Sequence, residues 1–389
     1  GSSFYFVFLD SSLVKPESED LQKKGVGGEL WAVHGGGFYN PQKYAVAPEK
    51  VPDHLHWFYW ESYSTWLTGF SLFTVSYLWS ASTYLIDKSL MNWSSGAAIG
   101  VAVSFLVVFW MIYDLICQIF GKRKNGDAIV GALIFLVVCG ASWLACHWFA
   151  GRAAFLLVGA MIATAMSANV FFWIIPGQRT TVKDLREGRP VDPIHGQRAK
   201  QRSVHNTYFT LPVLFAMLSN HYSFTYTNQY NWVVLILMML AGALIRQFFV
   251  MRHGFKLGRN GHPWPYAAVG VAVIVGAIVW LKPASQPAPV AGIATNSVAG
   301  SAYSTGSDGQ NGYKNVQKIL EQRCYLCHGA EVQMKNVRLD SPALVKQHAL
   351  AVYQQVVVTK IMPMNNATQI TDAERAVIGK WFNDGAKTE

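Results

Sequence analysis

The stretch SSGAAIGVAVSFLVVFWMIYDLICQIF, residues 94–120, decides the fold. It carries a single formal charge, Asp114, and at about 1.5 Å of rise per residue it is long enough to cross about 30 Å of hydrocarbon. Lipid offers no partner to a backbone N–H or C=O, so a run of this kind crosses as a helix. Working outward, residues 57–85, 127–150, 152–176, 204–220, 228–251 and 264–281 have the same character, giving seven spans in an all-α, polytopic transmembrane helix bundle. Residues 4–9 form a shorter apolar run that stops at Asp10 and is expected to be the remainder of an eighth span. The composition agrees: of 389 residues, 51% are hydrophobic and 14% charged, far from the balance of a soluble domain.

Charge in the connections sets the orientation. Lys122, Arg123 and Lys124 follow the second of these spans, seven basic residues from Arg179 to Arg202 follow the fourth, and Arg252, Lys256 and Arg259 follow the sixth. By the positive-inside rule these connections lie in the cytoplasm, while those at Lys88, at Gly151 and over residues 221–229 face out. The net charge of +10 comes largely from the inner connections, so it reads as topology and not as nucleic-acid binding. Trp57, Trp79, Trp148, Trp173 and Trp264 fall near span ends, where interfacial aromatic belts sit.

Residues 1–282 thus form a membrane domain, and the composition changes after it. Residues 283–312 are rich in Pro, Ala, Ser and Gly with hardly any charge, the make-up of a flexible linker. Residues 313–389 then contain Cys324-Tyr325-Leu326-Cys327-His328, a C-x-x-C-H run. Two thiols at this spacing can each bond one vinyl group of a haem, and the following histidine is placed to ligate the iron. One covalent haem c is the cofactor expected here. Attachment of this kind takes place outside the bacterial inner membrane, on the face to which the last span delivers the chain. The expected location is therefore a multi-pass inner-membrane protein in the lipid bilayer, with its C-terminal domain in the periplasm. Helical patterns over residues 315–323 and 344–359, and a capping box of Thr371 with Glu374 ahead of a closing helix, make this unit resemble a small class I cytochrome c. That resemblance implies a methionine as sixth ligand, for which Met362, followed by Pro363, is the match and Met364 the competitor. Cys117, Cys139 and Cys146 lie inside spans and read as packing residues.

Seven spans exceed what an anchor needs, so polar groups within them are site candidates. Glu61, Asp114 and Arg246 fall toward the cytoplasmic half, and His205, His54 and His56 share that level. An ion pair of Asp114 with Arg246 that locks the bundle is the bland alternative, as is helix capping for His205. His147, Asn220 and His221 lie at the outer surface, with His221 sixteen residues and about 24 Å of helix rise from His205. No histidine pair stands at mid-span to hold a b haem, and whether the membrane domain holds a b haem or a further metal stays open.

The runs His54-Leu55-His56-Trp57-Phe58-Tyr59-Trp60-Glu61 and Val204-His205-Asn206-Thr207-Tyr208-Phe209-Thr210-Leu211-Pro212-Val213-Leu214, the latter continuing to Leu218-Ser219-Asn220-His221-Tyr222, resemble those of bacterial membrane-bound, cytochrome c-linked urate oxidases. The resemblance covers essentially the whole chain. It implies an eight-helix membrane domain, oxidation of urate and water to 5-hydroxyisourate, and electrons passed to the haem and onward to a downstream cytochrome or terminal oxidase instead of to dioxygen. For a planar, weakly acidic purine, Arg246 is the candidate anion partner. His205, His54 or His56, assisted by Glu61, are candidates for the base. A respiratory quinol or b-haem electron-transfer module with a tethered cytochrome relay is the alternative, and a transporter with a redox-sensing tail a third.

Overall fold

The computed structural model describes residues 2–45, 47–88, 90–281, 309–334 and 337–388; most of the expected linker lies outside them. The long helices of the first part are α1 (Ser2–Ser12), α2 (Trp60–Phe73), α3 (Ser95–Phe120), α4 (Gly126–Trp148), α5 (Gly151–Arg186), α6 (Pro193–Leu218), α7 (Asn231–Lys256) and α8 (Trp264–Leu281). Five of them, α3, α4, α5, α7 and α8, are long and apolar enough to cross a membrane. The other two expected spans are helical as well. α2 runs on through a π turn at Thr74–Leu78, and α6 opens with a polar stretch that lowers its hydropathy. The run at residues 4–9 lies within α1, which packs against α6 and α7.

Two helix boundaries differ from the sequence reading, each for a physical reason. The span expected to stop at Pro176 continues to Arg186. Proline has no N–H and crowds the carbonyl four residues back, and here a π turn at Val170–Ile174 immediately precedes it and absorbs the misfit. α6 starts at Pro193 instead of residue 204, because the Asp192 carboxylate caps the Ile194 N–H at 2.9 Å and Pro193 takes the first-turn position. His205 is therefore mid-helix and caps nothing.

The all-α expectation also missed a small β element between α1 and α2. Strands β1 (Val26–Glu29) and β4 (Gln42–Tyr44) pair antiparallel, as do β2 (Ala32–His34) and β3 (Gly37–Tyr39) inside them. Gly35 and Gly36 both have positive φ, which the tight turn between β2 and β3 requires.

α5 is the central helix of the bundle, with half of its apolar window buried against 11–33% for the other four spans. Its contact with α6 depends on Gly159, where an added Cβ would stand 3.1 Å from Ala216 Cβ. Small residues of this kind let membrane helices approach closely. A separate core forms in the C-terminal residues from α9 (Gly309–Arg323), which starts inside the stretch expected to be linker, the turn Tyr325–His328, a middle helix that ends in a π turn at Tyr353–Val358, and α10 (Asp372–Asn383). The expected capping box is present: Thr371 Oγ1 accepts the Glu374 N–H at 3.2 Å, and Glu374 Oε2 accepts the Thr371 N–H at 2.7 Å.

Candidate functional site

α3, α5 and α6 bring polar side chains together inside the bundle. Arg202 of α6 donates to Asp114 Oδ1 of α3 at 2.7 Å, with the guanidinium only 3% exposed. Trp173, in the π turn of α5, donates to the same oxygen at 2.7 Å, and Gln118 donates to Oδ2 at 2.6 Å. A carboxylate buried this deeply needs such a full set of donors. The Arg202 guanidinium also lies over the rings of Tyr113 and Trp173, at 4.9 and 5.3 Å. From there the hydrogen bonds run on. Arg202 reaches Asn169 Oδ1 at 3.4 Å, Asn169 Nδ2 reaches the Tyr113 phenol at 2.8 Å and Asn206 Oδ1 at 3.0 Å, and the Tyr113 phenol meets His205 Nδ1 at 2.9 Å.

His205 faces a cavity of about 870 Å³ between α4, α6 and α7, with Ile162 of α5 closing one side. Its wall is largely aliphatic and aromatic, and Gln201, His205, Tyr208 and Gln247 supply the polar groups. Tyr208 donates its hydroxyl to Gln247 Oε1. At one end stand Asp127, Gln197 and Lys200, beside the basic connections that follow α3 and α5. This is a concave, half-open and mostly apolar hollow with a few convergent polar groups, a form that small-molecule sites share.

The cavity sorts the sequence candidates. His205 lines it. Arg246 is buried on α7 next to the lining residue Gln247. Asp114 pairs with Arg202 and not with Arg246, a correction that follows from the earlier start of α6. Glu61 and His56 approach each other at 3.9 Å, both well exposed, and His54 is exposed too; none of the three lines the cavity. The reason is that α2 packs on the far flank of α5, through Ser62 with Ser167 at 3.1 Å and Trp66 with Thr164 at 3.1 Å. At the other end of the bundle Asn220 Oδ1 accepts from Arg152 and Tyr77, each at 3.1 Å.

In the C-terminal unit the C-x-x-C-H run is a single turn. Cys327 N–H and His328 N–H both donate to the Cys324 carbonyl, at 3.1 and 2.9 Å, so both thiols and the imidazole share one short stretch. His328 Nδ1 is 3.1 Å from the Val337 carbonyl, which fixes the ring with its proton on Nδ1 and leaves Nε2 to ligate a metal. Burial pushes the Cys324 thiol up to about 12, unlike the acidic attacking thiols of C-x-x-C redox proteins. Met362 packs against the same apolar cluster as Cys324, and its backbone is held at both ends, N–H to Gln355 at 3.0 Å and C=O from Arg375 at 2.8 Å. Met364 begins the next turn, Met364–Asn366. A haem attached here would be bonded by Cys324 and Cys327 and would meet the free Nε2 of His328, while Met362 lies in the same apolar cluster.

A family model described as Urate oxidase N-terminal matches residues 1–282. The chain belongs to the urate oxidase N-terminal family. No curated protein and no solved structure matches it. Membership covers the whole helix bundle, so both the buried network and the cavity lie within the urate oxidase part of the chain. It makes the chain an oxidoreductase of the urate oxidase type. Charge along the spans does not single out Tyr113, Asn169, Tyr208 or Gln247, because neutral polar groups barely alter hydropathy. Arg202 stands in sequence at the end of the basic connection after the fourth span, and only the early start of α6 carries it into the bundle. Of the neutral groups, Tyr208 alone carries a signal in the sequence, helical spacing: Gln201, His205 and Tyr208 recur at intervals of four and three, one face of α6.

Proposed function

We propose that this protein oxidises urate to 5-hydroxyisourate in its membrane bundle and delivers the electrons singly to a c-type haem on its C-terminal unit, not to dioxygen. The observation that carries this reading is one of sequence order: a urate oxidase bundle and a C-x-x-C-H turn with an oriented histidine stand in the same chain. Urate and water yield 5-hydroxyisourate with release of two electrons and two protons. A haem c held by Cys324, Cys327, His328 and Met362 would supply a one-electron acceptor whose His/Met ligation raises its potential. Supporting the spatial arrangement, the Met364–Asn366 turn lies against Ala81–Tyr84, at the end of the bundle opposite the basic connections. Urate then enters from the cytoplasmic side, and a cytochrome or terminal oxidase takes the electrons outside the inner membrane.

The test is anaerobic stopped-flow absorbance of the purified, haem-loaded chain. Half an equivalent of urate per chain is expected to reduce all of the haem, with 5-hydroxyisourate as product. A haem that stays oxidised under excess urate overturns the reading. Pyridine haemochrome spectra are expected to show one c-type haem. Met362→Leu is expected to remove the methionine–iron charge-transfer band that Met364→Leu leaves in place.

A further inference from the structure

Building on that reading, we infer that the cavity between α4, α6 and α7 seats the planar purine anion, and that His205 serves it as a fixed N–H donor and not as a base. The tautomer follows from a chain of hydrogen bonds that ends on a backbone carbonyl. Asn206 Nδ2 donates to the Met166 carbonyl at 3.0 Å, which can only accept, so Asn206 Oδ1 faces Asn169. The amide of Asn169 must then present its NH₂ to Asn206 and to the Tyr113 oxygen, and Arg202 meets its Oδ1 from the other side. With its oxygen accepting from Asn169, the Tyr113 phenol has its own proton left to give, and His205 Nδ1 lies 2.9 Å away. The Cys117 thiol, 3.8 Å from Nδ1, is a weaker donor to the same nitrogen. His205 Nδ1 therefore accepts, and the ring proton sits on Nε2.

The charges around the ring support a neutral imidazole. Arg202 supplies a full positive charge one turn away and spends Asp114 in its own ion pair, while Asp127, at the cavity end, is engaged by Gln201 at 2.8 Å. An N–H held on a neutral ring is suited to a carbonyl oxygen of the urate anion, over which the negative charge is already spread in the bound substrate. Gln247 and Tyr208 form the facing polar pair. Pro212, which lines the cavity one turn further on, has no N–H to give the Tyr208 carbonyl, so a backbone acceptor is freed for a purine N–H. A volume of about 870 Å³ admits a two-ring purine with some water. Tyr113 is then a positioning residue, and His205 the group that touches substrate.

The proposal is tested on the full, haem-loaded chain in detergent, with radiolabelled urate in equilibrium dialysis after the haem has been reduced with dithionite so that no turnover occurs. Gly131→Phe fills the cavity from α4 without touching the network, since a Cβ there meets nothing within 4 Å; urate binding is expected to vanish while the haem spectrum stays intact. His205→Leu is expected to weaken binding about tenfold to a hundredfold, whereas His205→Gln, which keeps an N–H, holds it within about threefold. Tyr113→Phe is expected to leave urate binding nearly unchanged and to slow haem reduction about threefold to tenfold, a split between binding and turnover that a merely loosened bundle would not give. Wild-type urate binding in both Gly131→Phe and His205→Leu overturns the assigned seat, even if urate reduces the haem. Urate binding that is lost in those variants, in a wild-type chain whose haem urate never reduces, upholds the seat and overturns the electron-acceptor reading instead.

Discussion

Asp114 shows how much a single buried residue commits this bundle to. Its carboxylate accepts from Arg202, Trp173 and Gln118, so removing its charge strands a guanidinium in an apolar interior. Asp114→Asn is expected to cost about 3–5 kcal/mol, seen as a fall in the thermal inactivation temperature of the solubilised protein. The double change Asp114→Leu with Arg202→Met is expected to recover much of that loss. Asp114 was legible from sequence as a charge inside a span. Its partner was not, because Arg202 looks like a loop residue until α6 is seen to start at Pro193. In the C-terminal unit, burial raises the Glu374 carboxyl, but hydrogen bonds from Thr371 and Arg323 more than offset it and hold the group below its ordinary range. A depressed carboxyl contributes stability above its unfolded value of about 4.3 and loses it as pH falls through the lower folded value. Guanidinium unfolding of this unit, followed by haem absorbance, is expected to be level from pH 7 to about 5 and to weaken below about 4, a decline that Glu374→Gln flattens.

Helix α5 decides what meets what. Its Gly159 lets α6 approach, and its π turn before Pro176 turns Trp173 onto Asp114. Gly159→Val would press a branched side chain into Ala216 and Met217. The expected cost is about 1–3 kcal/mol of stability, together with weaker urate binding, because α6 carries His205. Equilibrium dialysis alongside thermal inactivation checks both. At this scale the spans themselves were plain, because apolar runs announce helices wherever they sit. The extension past Pro176 was hidden, since proline ordinarily closes a helix and only packing reveals a π turn that tolerates it. The Gly35-Gly36 pair is a turn signal in the sequence, but a short one beside the much stronger membrane pattern.

Across the whole molecule, two cores divide the labour. The bundle's apolar cluster and that of the C-terminal unit share no residue. Replacing Cys324 and Cys327 together by alanine is therefore expected to abolish covalent haem and urate turnover while leaving urate binding to the bundle within about threefold, by pyridine haemochrome and equilibrium dialysis. The cavity lies toward the basic end, and the Met364–Asn366 turn meets the opposite end at Ala81–Tyr84, so the proposed function has substrate and electrons using different faces of the bundle. Sequence by itself determined the apolar helices, the side on which the basic connections gather and the C-x-x-C-H turn. Each of these is written in hydropathy, charge or spacing along one short stretch. Only the tertiary structure decided that Asp114 answers to Arg202, that His205 and not Glu61, His54 or His56 faces the cavity, and that Tyr113 sets the proton on that imidazole. Those are contacts between helices distant in the chain, and which faces meet depends on the close packing of small residues and on a π turn, neither of which hydrophobic periodicity encodes.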